Sequence, residues 1–264
     1  MTYLILGSTS FAGSSLINYL LSQDKRVIGL SRSAEPHPVM QPYFNNPHKA
    51  AFTFYQRDIN KDFEEIIPLL QLHKPKYFID FAGQGMVAES WSDPAQWYLT
   101  NVVSKVKLHQ YLKGCDFLER YVRISTPEVY GDSEAVMMEN QVFNPSTPYA
   151  VSHAAIDMSL MAFFKQYQFP VILTRFANFY GPYQQLYRII PRTIIYALLG
   201  KKLPLHGGGA SKRMFIYAND IASGIYQAIH QGQIGQTYHF TKGPLISIHE
   251  LVSKICCLMD IDMR

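Results

Sequence analysis

The stretch Tyr3-Leu4-Ile5-Leu6-Gly7-Ser8-Thr9-Ser10-Phe11-Ala12-Gly13 decides the fold. Its first four residues run apolar without alternation, as in a strand covered on both faces. A glycine then marks a tight turn, and residues 14–22 resume with the apolar spacing of a helix. Strand, turn and helix in this order bring the free amides and positive end of a helix to the carboxyl edge of a buried strand, where a dinucleotide pyrophosphate is held. Gly7, Ser10, Phe11 and Gly13 are therefore candidate cofactor-binding residues. Ser10 replaces the middle glycine of the usual pattern, which keeps the backbone farther from a phosphate but offers a hydroxyl donor.

The same rhythm continues outward. Short apolar runs at 27–30, 52–55, 77–81, 121–125 and 171–175 alternate with helical spacing at 63–73, 101–113 and 149–167, and Pro148 stands where a helix start tolerates it. This predicts an α/β fold with a doubly wound parallel sheet of Rossmann type, its ligands at the carboxyl ends of the strands. From about Tyr180 the alternation dissolves into Pro182, Pro191, Pro204, the turn Gly207-Gly208-Gly209 and short segments. Residues 1–179 are expected to form the dinucleotide-binding domain with the catalytic residues. Residues 180–264 are expected to form a small substrate lobe, some strands of which return to the first domain. A helix over 248–259 is followed by the end of the chain at Arg264, so the lobe is expected to be shortened.

Composition narrows the function classes. With 264 residues, 48% hydrophobic and 17% charged, the chain can bury a large core. The net charge of +4 is spread along the chain, which argues against a nucleic-acid groove and suits a small anionic ligand. Cys115, Cys256 and Cys257 are odd in number and two are adjacent, which favours a reducing, cytoplasmic setting. The apolar start reads as a strand rather than an export signal, and no apolar run approaches the roughly 18 residues that span a bilayer. Helix 149–167 is apolar on nearly every side, with Val151, Ile156, Met158, Leu160, Met161, Phe163 and Phe164, and needs cover beyond one sheet. A second subunit packed on it and on 101–113 makes a homodimer the expectation.

The remaining strand ends carry polar candidates. Ser31 and Arg32 stand where an acidic residue would bind the ribose of NAD, and an arginine with hydroxyl neighbours suits a 2′-phosphate, so NADP is expected with NAD as the alternative. Asp58 and Ile59 are placed to meet adenine, and Phe81-Ala82-Gly83 to line the cofactor. After the fifth strand, Ser125-Thr126-Pro127-Glu128-Val129-Tyr130-Gly131 directs Thr126 and Glu128 toward a substrate.

Together with Tyr149-Ala150-Val151-Ser152-His153, Arg175-Phe176-Ala177-Asn178-Phe179-Tyr180-Gly181-Pro182 and Ser211-Lys212-Arg213-Met214-Phe215-Ile216-Tyr217, these motifs resemble the extended short-chain dehydrogenase/reductases. Within them the chain is most similar to nucleotide-sugar 4,6-dehydratases of the dTDP-glucose type. Ser31-Arg32-Ser33 and Gln84-Gly85-Met86-Val87-Ala88-Glu89-Ser90-Trp91 are closer to the GDP-mannose dehydratase branch. The resemblance implies a nucleotide-diphosphate sugar as substrate. Tyr149 would take a proton from the hydroxyl on sugar carbon 4 while hydride passes to a nicotinamide. Thr126 would share a hydrogen bond with that hydroxyl, Glu128 would remove a proton in the loss of water across carbons 5 and 6, and Asn178 and Arg213 would hold the diphosphate.

Two positions depart from the family pattern. Tyr-x-x-x-Lys has become Tyr149-x-x-x-His153, which exchanges a permanent charge for a ring that is mostly neutral at pH 7 and weakens the reason the phenol can act as a base; Tyr149 and His153 stay candidate catalytic and cofactor-binding residues, with His153 donating one ring proton to a cofactor ribose. The residue before Glu128, usually Asp, is Pro127, which has no proton to donate. Structural alternatives are an Arg213–Asp220 pair and a turn closed by Asn178. His206-Gly207-Gly208-Gly209 lacks the serine elbow of an esterase, and His249-Glu250 lacks the second histidine of a zinc motif, so no metal is expected.

Overall fold

The computed structural model describes residues 1–131, 137–139 and 142–262. A parallel sheet is built from β1 (Thr2–Leu6), β2 (Arg26–Ser31), β3 (Phe52–Gln56), β4 (Tyr77–Asp80), β5 (Arg120–Ile124) and β6 (Val171–Phe176). These strands run in the order β6-β5-β4-β1-β2-β3. The order reverses between β1 and β4, and that switch point opens the crevice where a doubly wound sheet binds its ligand. Leu4 and Ile5 are fully buried because each face of β1 is covered. Tyr3 and Ile5 join the cluster with Leu16, Leu20 and Ile225, while Leu4 and Leu6 join the one with Leu108 and Leu160. Burying one such side chain stabilises the fold by roughly 1.5–3 kcal/mol.

The helices α1 (Phe11–Ser22), α2 (Phe63–His73), α4 (Ser104–Leu112) and α5 (Pro148–Tyr167) follow the alternation expected of the sequence, while the short α3 (Pro94–Tyr98) is not expected from it. Pro148 occupies the first turn of α5, and the Thr147 hydroxyl accepts from the Ala150 amide to cap it. The helix expected from residue 101 is preceded by a wider π-type turn, Leu99–Val103, before regular α4 begins.

Beyond residue 180 the molecule is more regular than the sequence suggests. After β7 (Asn178–Tyr180) come α6 (Ile189–Leu198), β8 (Lys212–Arg213), β9 (Phe215–Tyr217), α7 (Ala218–Gln231), β10 (Thr237–Phe240), β11 (Ile246–Ser247) and α8 (Ile248–Leu258). The 14 residues of α7 replace the short segments expected there, because Ile221, Ala222, Ile225, Ala228 and Ile229 share one buried face against α1 and the sheet. β10 pairs in parallel with β6 and becomes the seventh strand of the main sheet. A boundary at 179/180 thus separates α7 and β10 from the sheet they complete. Among the described residues, β7 pairs in parallel with β9 outside the main sheet, α6 packs on α8 and β8 runs antiparallel to β11. No helix among the described residues is long and apolar enough to cross a membrane.

Candidate active site

Gly7 adopts φ +80°, and a Cβ there would meet the Ala82 amide nitrogen at 2.7 Å. Only glycine lets the β1 turn lie against the exit of β4. A Cβ on Gly13 would meet the Gly7 carbonyl oxygen at 2.6 Å, so this second glycine sets the close approach of α1 to the turn. The Ser10 hydroxyl is already committed: it donates to the Gly7 carbonyl at 2.7 Å and accepts from the Gly13 amide at 3.1 Å. Ser10 is therefore the helix cap, which corrects the expectation of a hydroxyl donor for phosphate. The first helical hydrogen bond runs from Ser14 to Ser10, which leaves the amides at the head of α1 for an anion.

A cleft opens here and is lined by Gly7, Ser10, Ser31, Arg32, Asp58, Ile59, Phe81, Ala82 and Gly83, together with Thr9, Gln84 and Thr100, which sequence reasoning missed. Phe11 and Gly13 do not line it. Phe11 is buried and stacks on Phe179 at 5.3 Å, so both support the turn from behind. The donor set fits a dinucleotide: a glycine turn, a helix start, and hydroxyl and guanidinium groups at the end of β2. Thr9 and Ser31 share a 2.6 Å hydrogen bond across that end, while Arg32 is exposed. Arg57 also lines the cleft but is paired with Glu65 at 2.9 Å.

At the chemical end, the Thr126 side chain and Glu128 both lie near the phenol oxygen of Tyr149, the first favouring its ionised form and the second repelling it. Thr126 also caps the turn Pro127–Tyr130 by accepting from the Glu128 amide. Tyr149, Thr126 and Glu128 are thus brought together. Burial, and secondarily Glu128, raise the Tyr149 pKa above 10, although Thr126, Arg123 and Arg188 pull it down. Arg188, at the start of α6, is a residue the sequence did not suggest. Tyr149 and His153 are neighbours on α5 with ring centroids 4.6 Å apart. Asn178 lies beside the segment that carries Arg213: its backbone amide donates to the Met214 carbonyl at 3.1 Å and its side-chain amide to the same oxygen at 3.5 Å, while the Arg213 guanidinium donates to the Lys212 carbonyl. Arg213 is exposed, and Asp220 pairs instead with Lys242 at 3.2 Å, which rules out the structural pairing considered for Arg213.

The two ends are joined by hydrogen bonds. The Gln84 amide donates to the Asn101 side chain at 2.7 Å, and the Asn101 amide donates to the Ser152 hydroxyl at 2.9 Å, one residue before His153. Behind them lies a buried ionic cluster on the α4/α5 face of the sheet, built by strand alternation. Phe78, Tyr121 and Leu173 pack that face as apolar residues, and two residues on, Asp80, Arg123 and Arg175 end the strands with charges. Lys105 reaches Asp80 at 2.6 Å and also bonds the Ala82 carbonyl. Arg123 contacts Asp80 at 3.3 Å, and Arg175 contacts Asp157 at 2.7 Å. Burial raises the Asp80 pKa, but Lys105 and Arg123 outweigh it and hold the carboxyl below its ordinary range.

Burial, then the repulsion of Arg123, Lys105 and Arg175, pushes His153 far below 6.5. Burial likewise draws His109 down to about 3. A histidine with a lowered folded pKa binds protons better in the unfolded chain, so its stabilising contribution is complete above 6.5 and lost as the pH falls below it. Each lost pH unit removes about 1.4 kcal/mol per histidine. Denaturant unfolding at pH 5 is expected to show about 2 kcal/mol less stability than at pH 7.5 from His109 alone, His153 adds to the loss in the same direction, and His109→Gln should remove the His109 share.

The model of the NAD dependent epimerase/dehydratase family matches residues 3–240. The chain belongs to that family. It is 30% identical over 274 residues to dTDP-glucose 4,6-dehydratase of Haemophilus influenzae, covering 98% of this chain and 80% of that one. It is 29% identical to the trifunctional UDP-glucose 4,6-dehydratase/UDP-4-keto-6-deoxy-D-glucose 3,5-epimerase/UDP-4-keto-L-rhamnose-reductase of Arabidopsis thaliana, covering 98% of this chain but 39% of that longer one. The crystal structure of dTDP-glucose 4,6-dehydratase from Bacillus anthracis in complex with NAD superposes with a TM-score of 0.87 at 29% identity, over 99% of this chain and 82% of that one. The family's nicotinamide nucleotide agrees with the donor set of the cleft at the head of α1.

Proposed function

We propose that the protein is a nucleotide-sugar 4,6-dehydratase that acts on an NDP-hexose through transient oxidation at carbon 4. The observation that carries this reading is the grouping of Tyr149, Thr126 and Glu128 at the carboxyl end of β5, joined to the cleft through Ser152, Asn101 and Gln84. A nicotinamide held by the cleft of Gly7, Ser31 and Arg32 would supply a reversible acceptor for the hydride of carbon 4, which carbon 6 would receive at the end as Glu128 returns a proton to carbon 5. Tyr149 takes the hydroxyl proton at carbon 4, with Thr126 holding that hydroxyl. Glu128 removes the proton from carbon 5 as hydroxide leaves carbon 6. Pro127 offers no proton to the departing hydroxide, so Glu128 or water returns it, and elimination is the slow step. Asn178 and Arg213, with the lobe of α6, β8, β11 and α8, bind the diphosphate.

Incubating the protein with dTDP-, UDP- and GDP-hexoses and following loss of one water by mass tests this reading; tight binding without turnover of any of them contradicts it. Pro127 and the neutral His153 support, as the second reading, a catalytically weakened NADP- or nucleotide-sugar-binding protein; a related epimerase or decarboxylase, which oxidises carbon 4 without needing a proton donor at position 127, is the remaining alternative.

For the cofactor, Arg32 and the absence of a carboxylate at the end of β2 support NADP over NAD. Arg32→Asp is expected to weaken NADP binding about tenfold or more and improve NAD, measured by calorimetric titration. The exposed Leu99, Val103, Val151 and Met158 on the π-type turn and α5 support a homodimer. Met158→Asp is expected to shift sedimentation toward monomer. The three free cysteines support a cytoplasmic setting.

A further inference from the structure

The cation that His153 fails to carry has not left the site. Arg123 is fully buried beneath α5, and its Nη2 lies 3.1 Å from His153 Nδ1. A guanidinium has donors only, so Nδ1 must be the acceptor, and in a neutral ring the proton then sits on Nε2. Protonating Nδ1 would break this bond and add a charge beside Arg123. Nε2 itself is buried and lacks a hydrogen-bond partner among the described residues. A buried N–H without an acceptor is costly, and it calls for a partner supplied from outside the chain. The surrounding cluster holds three cations, Lys105, Arg123 and Arg175, against two carboxylates, Asp80 and Asp157. With Lys105 protonated the surplus is one positive charge; burial draws the Lys105 pKa down to about 7, so the permanent cation beside His153 is Arg123.

We infer that Arg123 is a positioning residue for the reaction proposed above: it fixes His153 with its proton on Nε2, presented to a hydroxyl of the bound dinucleotide, and returns to Tyr149 the positive field that a lysine would give. Asp80, which contacts Arg123 Nη1, and Asp157, 3.8 Å from its Nε, hold the guanidinium in place. The cation has moved back by one side chain, with the imidazole as a neutral spacer.

Nitrogen NMR of the cofactor-free protein labelled at histidine reads the arrangement directly. His153 is expected to show a protonated Nε2 and a bare Nδ1 and not to titrate near the ordinary value of an imidazole, and its Nε2 signal should move when dinucleotide is added. A proton on Nδ1, or a ring that titrates near its ordinary value, overturns the inference. A double-mutant cycle gives the second test. Arg123→Gln is expected to lower kcat about tenfold and to weaken dinucleotide binding, whereas in a His153→Lys background the same change should alter kcat less than about twofold. Equal losses in both backgrounds would mean a structural role and overturn the inference. If Arg123→Gln does not fold, the NMR result on the unaltered protein decides. Absence of product from every nucleotide sugar, alongside the expected tautomer and dinucleotide response, would defeat the proposed dehydratase but not this role of Arg123. Product formed by a protein with the other tautomer would do the reverse.

Discussion

Tyr149→Phe is expected to lower kcat by about 10²–10⁴-fold while leaving the affinity for nucleotide sugar within about threefold. The substitution removes one oxygen and keeps the ring that packs on His153 at 4.6 Å. That oxygen is the only proposed base for the carbon 4 hydroxyl, so the loss falls on the chemical step. In the unaltered protein, burial holds the phenol above its ordinary pKa. The ionised fraction therefore rises tenfold per pH unit through the neutral and mildly alkaline range, and the rate should climb with it without a break near 6.5, because His153 stays neutral. Steady-state kinetics with calorimetric binding check this. A loss below tenfold would remove Tyr149 from the chemistry.

The second large effect concerns stability. Asp80→Ala is expected to destabilise the fold by about 3–5 kcal/mol, because it leaves Lys105 and Arg123 as uncompensated buried cations. The buried Tyr121 hydroxyl, 2.9 Å from Asp80, would lose its acceptor as well. At roughly 2–4 °C per kcal/mol for a chain of this size, the melting temperature should fall by about 6–20 °C in calorimetry. Lys105 resists part of the change, since burial already draws its pKa down to about 7 and it can shed its proton. A shift under about 3 °C would mean that the cluster does not hold these strand ends together.

The fold was legible because its signals are local. Leu4-Ile5-Leu6 followed by Gly7, and the repeated apolar runs up to residue 175, each announce a strand buried on both faces. The face of α7 was also readable in Ile221, Ala222, Ile225, Ala228 and Ile229, but the prolines and glycines before it masked the return to helical spacing. For the site, Tyr149, Thr126 and Glu128 were readable as motif residues, and the structure brings them together. The ionic cluster was not readable. Asp80, Lys105, Arg123, His153 and Arg175 lie on three strands and two helices, and only the register of β4 on β5, which pairs Asp80 with Arg123, shows that their charges compensate. Similarly, Ser10 could be recognised as a substituted glycine, but where its hydroxyl points is fixed by the Gly7 carbonyl one turn back.

The proposed function rests on one claim, that Tyr149 and Glu128 carry out oxidation and elimination on a single sugar ring. The most direct test uses a dTDP- or UDP-hexose with deuterium on carbon 4, analysed by NMR of the product. The proposed reaction predicts a 4-keto-6-deoxy sugar with the deuterium on carbon 6. Deuterium retained on carbon 4, with the sugar inverted or unchanged, would contradict it.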